Sequence, residues 1–360
     1  MQPSTGRLPL RRGLALAALA TFLVLASIEF VVASLGIAPA PQEGLTVAKP
    51  EAEAVLRAYP GTFRASERWL WEPTPGAAAD GDRINADGYR GPAYPVARDG
   101  KLRIATMGDS STFGFGFPES DSFSRRLEAT LAERGVPAEV LNFGVVGFSA
   151  AQGAVYYIGR VRAYRPDVVI AAFGGVNDAV VVPPGMGDVD KLLRLARAPA
   201  RVHRFLQRFA TVRWLDSVLH GSDGAAPVEG FIQSRVPPPM FEHALRSLAA
   251  AVADDGGRLL LVSPPRRQDC ESKLPTTTEY SRLIVATAAA LRVPSIDVRA
   301  AFRAREDELA KAAAAAGKAA PVVDDSPLFL DAYHPSVEGH RIYATLLADE
   351  LARLGWTRPR

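Results

Sequence analysis

The sequence predicts an α/β chain, a three-layer α/β/α sandwich on a mainly parallel five-stranded sheet, preceded by one membrane-spanning helix. Three observations carry that prediction. From Lys101 onward, short apolar strands alternate with helix-length amphipathic segments, the pattern of a parallel sheet covered on both faces. An apolar run from Gly13 to Ala38, preceded by Arg7, Arg11 and Arg12, is long enough to cross a bilayer as a helix. A chain of 360 residues with 48% hydrophobic residues can bury a full core, and its length suits one large domain with additions.

The N-terminal arginines are expected to stay on the cytoplasmic side, which exports the rest of the chain. Glu29 alone interrupts the apolar run; near its outer end a carboxylate can reach the headgroup region. A cleaved signal peptide is the competing reading, since Ala38-Pro39-Ala40 has the small-x-small form. Pro41 would then start the mature chain, which disfavours cleavage. Residues 1–40 are therefore read as a cytoplasmic stub and a retained signal anchor. Residues 41–100, rich in Pro, Gly and Ala with Trp69, Trp71 and Tyr89 as aromatic islands, are read as a tether and lead-in segment.

Strands are predicted at Leu102 to Met107, Glu139 to Phe143, Asp167 to Phe173, Arg258 to Ser263 and Ser295 to Val298. Helical spacing of apolar residues marks Phe123 to Glu133, Ala150 to Tyr164, Phe241 to Asp254, Tyr280 to Leu291 and Val337 to Leu354. In outline this is a flavodoxin-like arrangement within residues 101–360. Right-handed crossovers would gather the strand C-terminal ends on one ligand-binding edge. Residues 179–239 break the alternation. They carry the clusters Pro183-Pro184 and Pro237-Pro238-Pro239 around a basic stretch from Leu192 to Arg208, and read as an insertion over the active edge. The alanine-rich stretch from Ala300 to Ala320 reads as a surface helix of high intrinsic propensity.

Composition narrows the chemistry. The net charge of +3 is a small surplus between 42 basic and 39 acidic residues, so a nucleic-acid partner is not indicated. Cys270 is the only cysteine and the 5 histidines are scattered, so neither a disulfide framework nor a metal site is expected. No cofactor is called for, and the chemistry falls to oxygen nucleophiles and imidazole.

The first strand runs into Gly108-Asp109-Ser110-Ser111, so a serine emerges at a strand's C-terminal end where a glycine permits a sharp turn. The Gly-x-Ser-x-Gly elbow of ordinary α/β-hydrolases is missing. The second strand leads into Asn142 to Ser149 and the third into Gly174-Gly175-Val176-Asn177-Asp178, both glycine-rich exits. Near the C-terminus, Asp331 stands three residues before His334, a spacing at which a carboxylate in a tight turn can reach the imidazole and fix its tautomer. Pro335 and a helix cap at Ser336 would hold that turn rigid. His203, His220 and His243 have no acid three residues before them, which leaves His334 as the base. His340 reads as a packing or surface residue and Ser111 as a turn residue. Asp109 and Asp178 read as ligands of loop backbone.

Taken together, Gly108-Asp109-Ser110, Gly147, Gly175-Val176-Asn177-Asp178 and Asp331 to His334 resemble the SGNH (GDSL-like) hydrolases in identity, order and spacing, over about 102–355. The resemblance implies the SGNH hydrolase fold, with Ser110 as nucleophile and Asp331 and His334 completing its triad. It further implies that Gly147 and Asn177 form the oxyanion hole beside the N–H of Ser110. The stretch Arg83 to Gly91 looks like a segment preceding the catalytic domain in membrane-anchored bacterial members. Its Asn85 and Gly88 are expected in turns, with Tyr89 packed on the domain.

The function implied is removal of acyl groups, most plausibly acetyl, from an envelope or secreted glycan, by an enzyme held in the bacterial inner membrane with its catalytic domain outside the cytoplasm. Two further enzymes of the same fold stay open: a lipid esterase or thioesterase, for which Phe113, Phe115 and Phe117 could line an acyl channel, and an O-acyltransferase. A non-catalytic scaffold of a polysaccharide machine is the reading of another class, against which the intact residue set speaks.

Overall fold

A computed structural model of the chain describes residues 10–38, 51–182, 186–196, 205–206, 208–220, 233–268, 270, 276–316 and 326–359. The chain divides into two units, 1–46 with 196–227, and 47–195 with 228–360.

In the larger unit the five predicted strands are present as β1 (Leu102–Gly108), β2 (Ala138–Gly144), β3 (Val168–Ala172), β4 (Arg258–Ser263) and β5 (Ser295–Asp297). They lie in the order β5-β4-β3-β1-β2 and every pairing is parallel. Because side chains alternate along a strand, each strand feeds two cores. Ile104, Val140, Ile170 and Leu260 face one side; Ala105, Leu141, Val169 and Leu261 face the other.

Six helices cover the sheet: α1 (Phe123–Glu133), α2 (Ala150–Gly159), α3 (Pro238–Asp254), α4 (Thr276–Leu291), α5 (Val298–Ala315) and α6 (Val337–Arg353). Helices α2, α3 and α4 bury Tyr156, Leu248 and Ile284 on one face, while α1, α5 and α6 bury Leu127, Phe302 and Leu347 on the other. Side chains set several of their starts. Ser149 and Gln152 form a reciprocal capping box at α2, and the Ser336 hydroxyl accepts the Gly339 N–H at 3.1 Å at α6. Pro238 and Pro239 occupy the first turn of α3, where no N–H is needed, so this helix starts earlier than its apolar pattern suggested. Helix α2 stops at Gly159 rather than running to Tyr164. There the backbone presses on the Trp69 ring, which an added Cβ would meet at 2.5 Å, and Val161–Tyr164 continues as a 3-10 turn.

From Glu51 the lead-in is built into this unit, although its composition reads as a tether. Its three aromatic islands are core. Trp71 is fully buried and donates its indole N–H to the Val146 carbonyl at 2.9 Å. Tyr89 packs its ring 4.8 Å from that of Phe143. Asn85 accepts the N–H of Asp87 and Tyr89 at 3.0 and 3.2 Å, and Gly88 turns the chain at φ +73°. Of the insertion, Val181–Val182 pairs antiparallel with Gln233–Ser234, and buried Arg235 donates to Asp188 at 3.0 Å and to Gln152 at 2.8 Å. Pro183, Pro184, His203 and the rest of the basic stretch beyond Ala196 lie largely outside the described residues, as do Pro41 and most of the tether.

The smaller unit holds a helix over Leu10–Ser34. Its 25 residues span about 37 Å at about 1.5 Å per residue, against a hydrocarbon core of about 30 Å. Among the described residues, this is the one helix long and apolar enough to cross a membrane. A second helix, Ala210–His220, packs beside it.

Candidate active site

The strand order reverses between β1 and β3, the point at which open parallel sheets bind ligands beyond their C-terminal ends. Gly108 lies level with Gly144 of β2 and Ala172 of β3, so the loops leaving three adjacent strands share one edge. Gly108 is sterically required there: a Cβ would meet Thr112 Oγ1 at 2.1 Å and the Ala172 carbonyl at 2.7 Å. Asp109 then caps the one-turn helix Ser110–Phe113 by accepting the Ser111 N–H at 2.9 Å.

Ser110 and His334, distant in sequence, touch: Ser110 Oγ lies 2.8 Å from His334 Nε2. The other ring nitrogen, Nδ1, lies 2.7 Å from Asp331 Oδ2. Asp331 Oδ1 meanwhile accepts the backbone N–H of both Tyr333 and His334 at 2.9 Å, so one carboxylate shapes the turn and orients the ring. Burial pushes the Asp331 carboxyl up, but the hydrogen bonds from His334 and the two N–H groups outweigh it and hold the group at about 2. It is ionised across any working pH. The turn is pinned at its ends by the Leu330 N–H on the His334 carbonyl at 2.8 Å and by the Ser336 hydroxyl on the Pro327 carbonyl at 2.6 Å. Phe115 and Tyr333 both place their ring centroids 4.4 Å from the imidazole.

Gly147 has φ +78°, and a Cβ there would meet Val55 at 3.1 Å and Trp71 at 3.2 Å, so the lead-in packs against this glycine. Among the described residues, the N–H groups of Ser110 and Gly147 donate to no acceptor within the protein. Asn177 donates from Nδ2 to Asp109 Oδ2 at 3.1 Å. Asp178, buried, accepts the N–H of Ala150 at 2.8 Å and of Gly174 at 2.9 Å, tying the second and third loops together. Burial raises its carboxyl to about 7 against those two donors. Ser111 donates to the Tyr333 carbonyl at 3.2 Å, a link between the first loop and the histidine turn.

The phenylalanines divide. Phe113 is core, Phe115 lies on the imidazole, and Phe117 meets His340 edge-on at 6.3 Å. Arg90 is the residue that sequence reasoning passed over. Its buried guanidinium donates to the carbonyls of Phe113 at 3.0 Å and Gly114 at 2.8 Å, and also to that of Phe117, holding the loop that follows Ser110. Its place in the segment Arg83 to Gly91 was the available signal. Among the described residues no group of acids, histidines or cysteines is arranged to hold a metal ion.

His340 is a packing residue. It is 1% exposed, and its Nδ1 accepts the Phe123 N–H at 3.2 Å. Burial, aided by the charges of Arg126, His334 and Arg90, lowers its pKa to about 3. The unfolded imidazole takes up a proton below about 6.5, which the folded one refuses until about 3, so stability is lost as pH falls through that window. At about 1.4 kcal/mol per pH unit, wild type should lose about 2 kcal/mol more than His340→Gln between pH 7 and 5. Chemical denaturation of both at the two pH values checks this; equal pH slopes would contradict it.

The model of the GDSL-like Lipase/Acylhydrolase family matches residues 106–342. No curated protein matches the chain. Similar solved structures include the acetylxylan esterase Axe2 from Geobacillus stearothermophilus, at 19% identity over 70% of this chain and 95% of that one, with a TM-score of 0.45. The acetyl xylan esterase AlAXEase is 16% identical over 69% of this chain and 100% of its own, with a TM-score of 0.44. LAE5, an alpha/beta hydrolase enzyme from the metagenome of Lake Arreo, is 18% identical over 69% and 95%, also at 0.44. With two thirds of its length matched by the family model, on a parallel five-stranded sheet, this chain belongs to the GDSL-like lipase/acylhydrolase family and is an ester-bond hydrolase of the SGNH type.

Proposed function

We propose that the chain is a serine esterase that removes short acyl groups, acetyl above all, from a glycan of the bacterial envelope or its surroundings. In this reading it is a single-pass inner-membrane protein whose larger unit works on the periplasmic side. The observation that carries the chemistry is the continuous line Ser110 Oγ, His334, Asp331, with contacts of 2.8 and 2.7 Å. His334 Nε2 takes the Ser110 proton as Oγ attacks the ester carbonyl, and Asp331 stabilises the imidazolium. His334 then returns that proton to the leaving alcohol, and water releases the acyl group from Ser110 in the same way.

Charge on the carbonyl oxygen needs preset donors, and the uncommitted N–H groups of Ser110 and Gly147 support such a role, with Asn177 Nδ2 as the third. Asn177→Ala is accordingly expected to lower kcat by roughly 10²- to 10³-fold with little change in KM. Steady-state kinetics on p-nitrophenyl acetate measures this; an effect confined to KM would remove Asn177 from the set.

The narrow cleft beside Ser111, lined by Val176, Pro264, Pro265 and Tyr333 among others, is in keeping with a short acyl group. Turnover of p-nitrophenyl acetate, octanoate and longer esters by the full chain in detergent tests the choice. Acetate should lead; a strong preference for long chains would turn the reading to a lipid esterase.

A further inference from the structure

The smaller unit pairs the one acid of the apolar N-terminal run with a helix from the insertion. Both Glu29 carboxylate oxygens accept backbone N–H groups, those of Ala210 and Thr211, which open the helix Ala210–His220. A helix start carries orphan N–H groups and partial positive charge, while a carboxylate in an apolar layer lacks donors, so each satisfies the other. Ala210 and Val32 are buried where the two helices meet.

Position along the anchor sets depth. Glu29 lies 17 residues beyond Arg12 in one continuous helix, about 26 Å along its axis at about 1.5 Å per residue. With Arg12 at the cytoplasmic boundary of a hydrocarbon core of about 30 Å, Glu29 stands near the outer boundary. The helix it caps therefore begins at the outer headgroup layer.

The composition of the capped segment suits that layer. Phe209, Leu215 and Val218 are 43%, 47% and 62% exposed, so much of their apolar surface is left uncovered among the described residues. In sequence, the stretch leading into and through this helix carries Arg194, Arg197, Arg201, Arg204, Arg208 and Arg213, with no acidic residue between Asp190 and Asp216. Arginines beside exposed aromatic and aliphatic residues mark segments that lie in a bilayer interface and favour anionic headgroups. On the N-terminal helix that it packs beside, Phe22 and Phe30 are likewise exposed.

We infer that Ala210–His220 is a second membrane contact, lying in the outer headgroup layer of the bilayer that holds the anchor, with Glu29 fixing its start. The inference rests on the retained anchor proposed above. It gives Glu29 a positioning role, and it makes removal of the anchor costly, since cleavage after residue 40 would free the segment that holds this helix.

The test places an environment-sensitive NBD label on Val218→Cys in the full chain. The chain is reconstituted in vesicles of phosphatidylcholine and phosphatidylglycerol carrying a nitroxide either shallow or deep in the acyl chain. The wild-type chain, whose Cys270 is buried, is the blank. Arg246→Cys, on the exposed side of α3, is the water-facing control. The expected result is blue-shifted emission at position 218, quenched several-fold more by shallow than by deep nitroxide, with little quenching at 246. Adding Glu29→Ala should reduce the quenching at 218 at least twofold while the chain still floats with the vesicles. Water-like emission at 218 in a vesicle-bound chain would overturn the inference and leave the anchor standing. Blue-shifted emission that no lipid nitroxide quenches would mean a protein partner covers the helix, and would overturn it as well. A chain found soluble, with its N-terminus starting near Pro41, would remove the anchor reading and this inference together.

Discussion

Replacing Ser110 by alanine is expected to lower kcat on p-nitrophenyl acetate by at least about 10⁴-fold and to abolish covalent labelling by a fluorophosphonate. The size follows from the geometry: Ser110 Oγ is the oxygen within 2.8 Å of His334 Nε2, and without it no acyl-enzyme can form. Ser111→Ala should keep the label, because the Ser111 hydroxyl is engaged with the Tyr333 carbonyl at 3.2 Å. His334→Ala should cost about as much as Ser110→Ala, and the double variant little more, since both remove the same step. Full labelling of the Ser110→Ala chain would mean another nucleophile does the work.

Removing Arg90 is expected to be strongly destabilising, at about 3–5 kcal/mol for Arg90→Ala. Its guanidinium is buried, donates to the loop carbonyls of Phe113, Gly114 and Phe117, and stacks 4.4 Å from the Phe113 ring centroid. Asp80 and Asp82 lie 3.8 and 3.5 Å from it and would lose their cation. Arg90→Lys should recover only a small part, because one ammonium cannot serve carbonyls spread along the loop as a planar fork does. Denaturant unfolding measures the loss. A second readout is the rate of fluorophosphonate labelling, which should fall in both variants under conditions where they remain folded, since the same loop carries Ser110. A change below about 1 kcal/mol would show that the loop holds its shape without Arg90.

These two expectations differ in how far the sequence alone reaches. Ser110 was legible because its cues are local: a strand end, a glycine where a Cβ cannot fit, and a short polar turn. The pairing of Asp331 with His334 was legible for the same reason, a three-residue separation within one turn. Strands could be read as short continuous apolar runs, since both faces of the sheet are buried, and helices from apolar residues at helical spacing. Arg90 could not be read in this way. Its role depends on carbonyls more than twenty residues further on, and a lone arginine in a Pro- and Gly-rich stretch carries no periodic signal.

The lead-in makes the same point at larger scale. By composition it is a tether, yet Trp71 closes on Val146 and Gly147, and Tyr89 on Phe143, because the sheet exposes an apolar surface that nothing nearer in sequence covers. Glu29 likewise looked like a misplaced charge until the start of a helix some 180 residues later supplied its donors.

The sequence by itself determined the strands, several helix starts, the serine at the end of the first strand and the turn that pairs Asp331 with His334, because short-range spacing and capping chemistry settle each of these within a few residues. Only the tertiary structure decided that Ser110 and His334 touch, that Arg90 braces the loop between them, and that the lead-in walls the site. Those contacts join residues from about 20 to more than 220 positions apart, where chain connectivity carries no information and only the packed sheet brings the partners together.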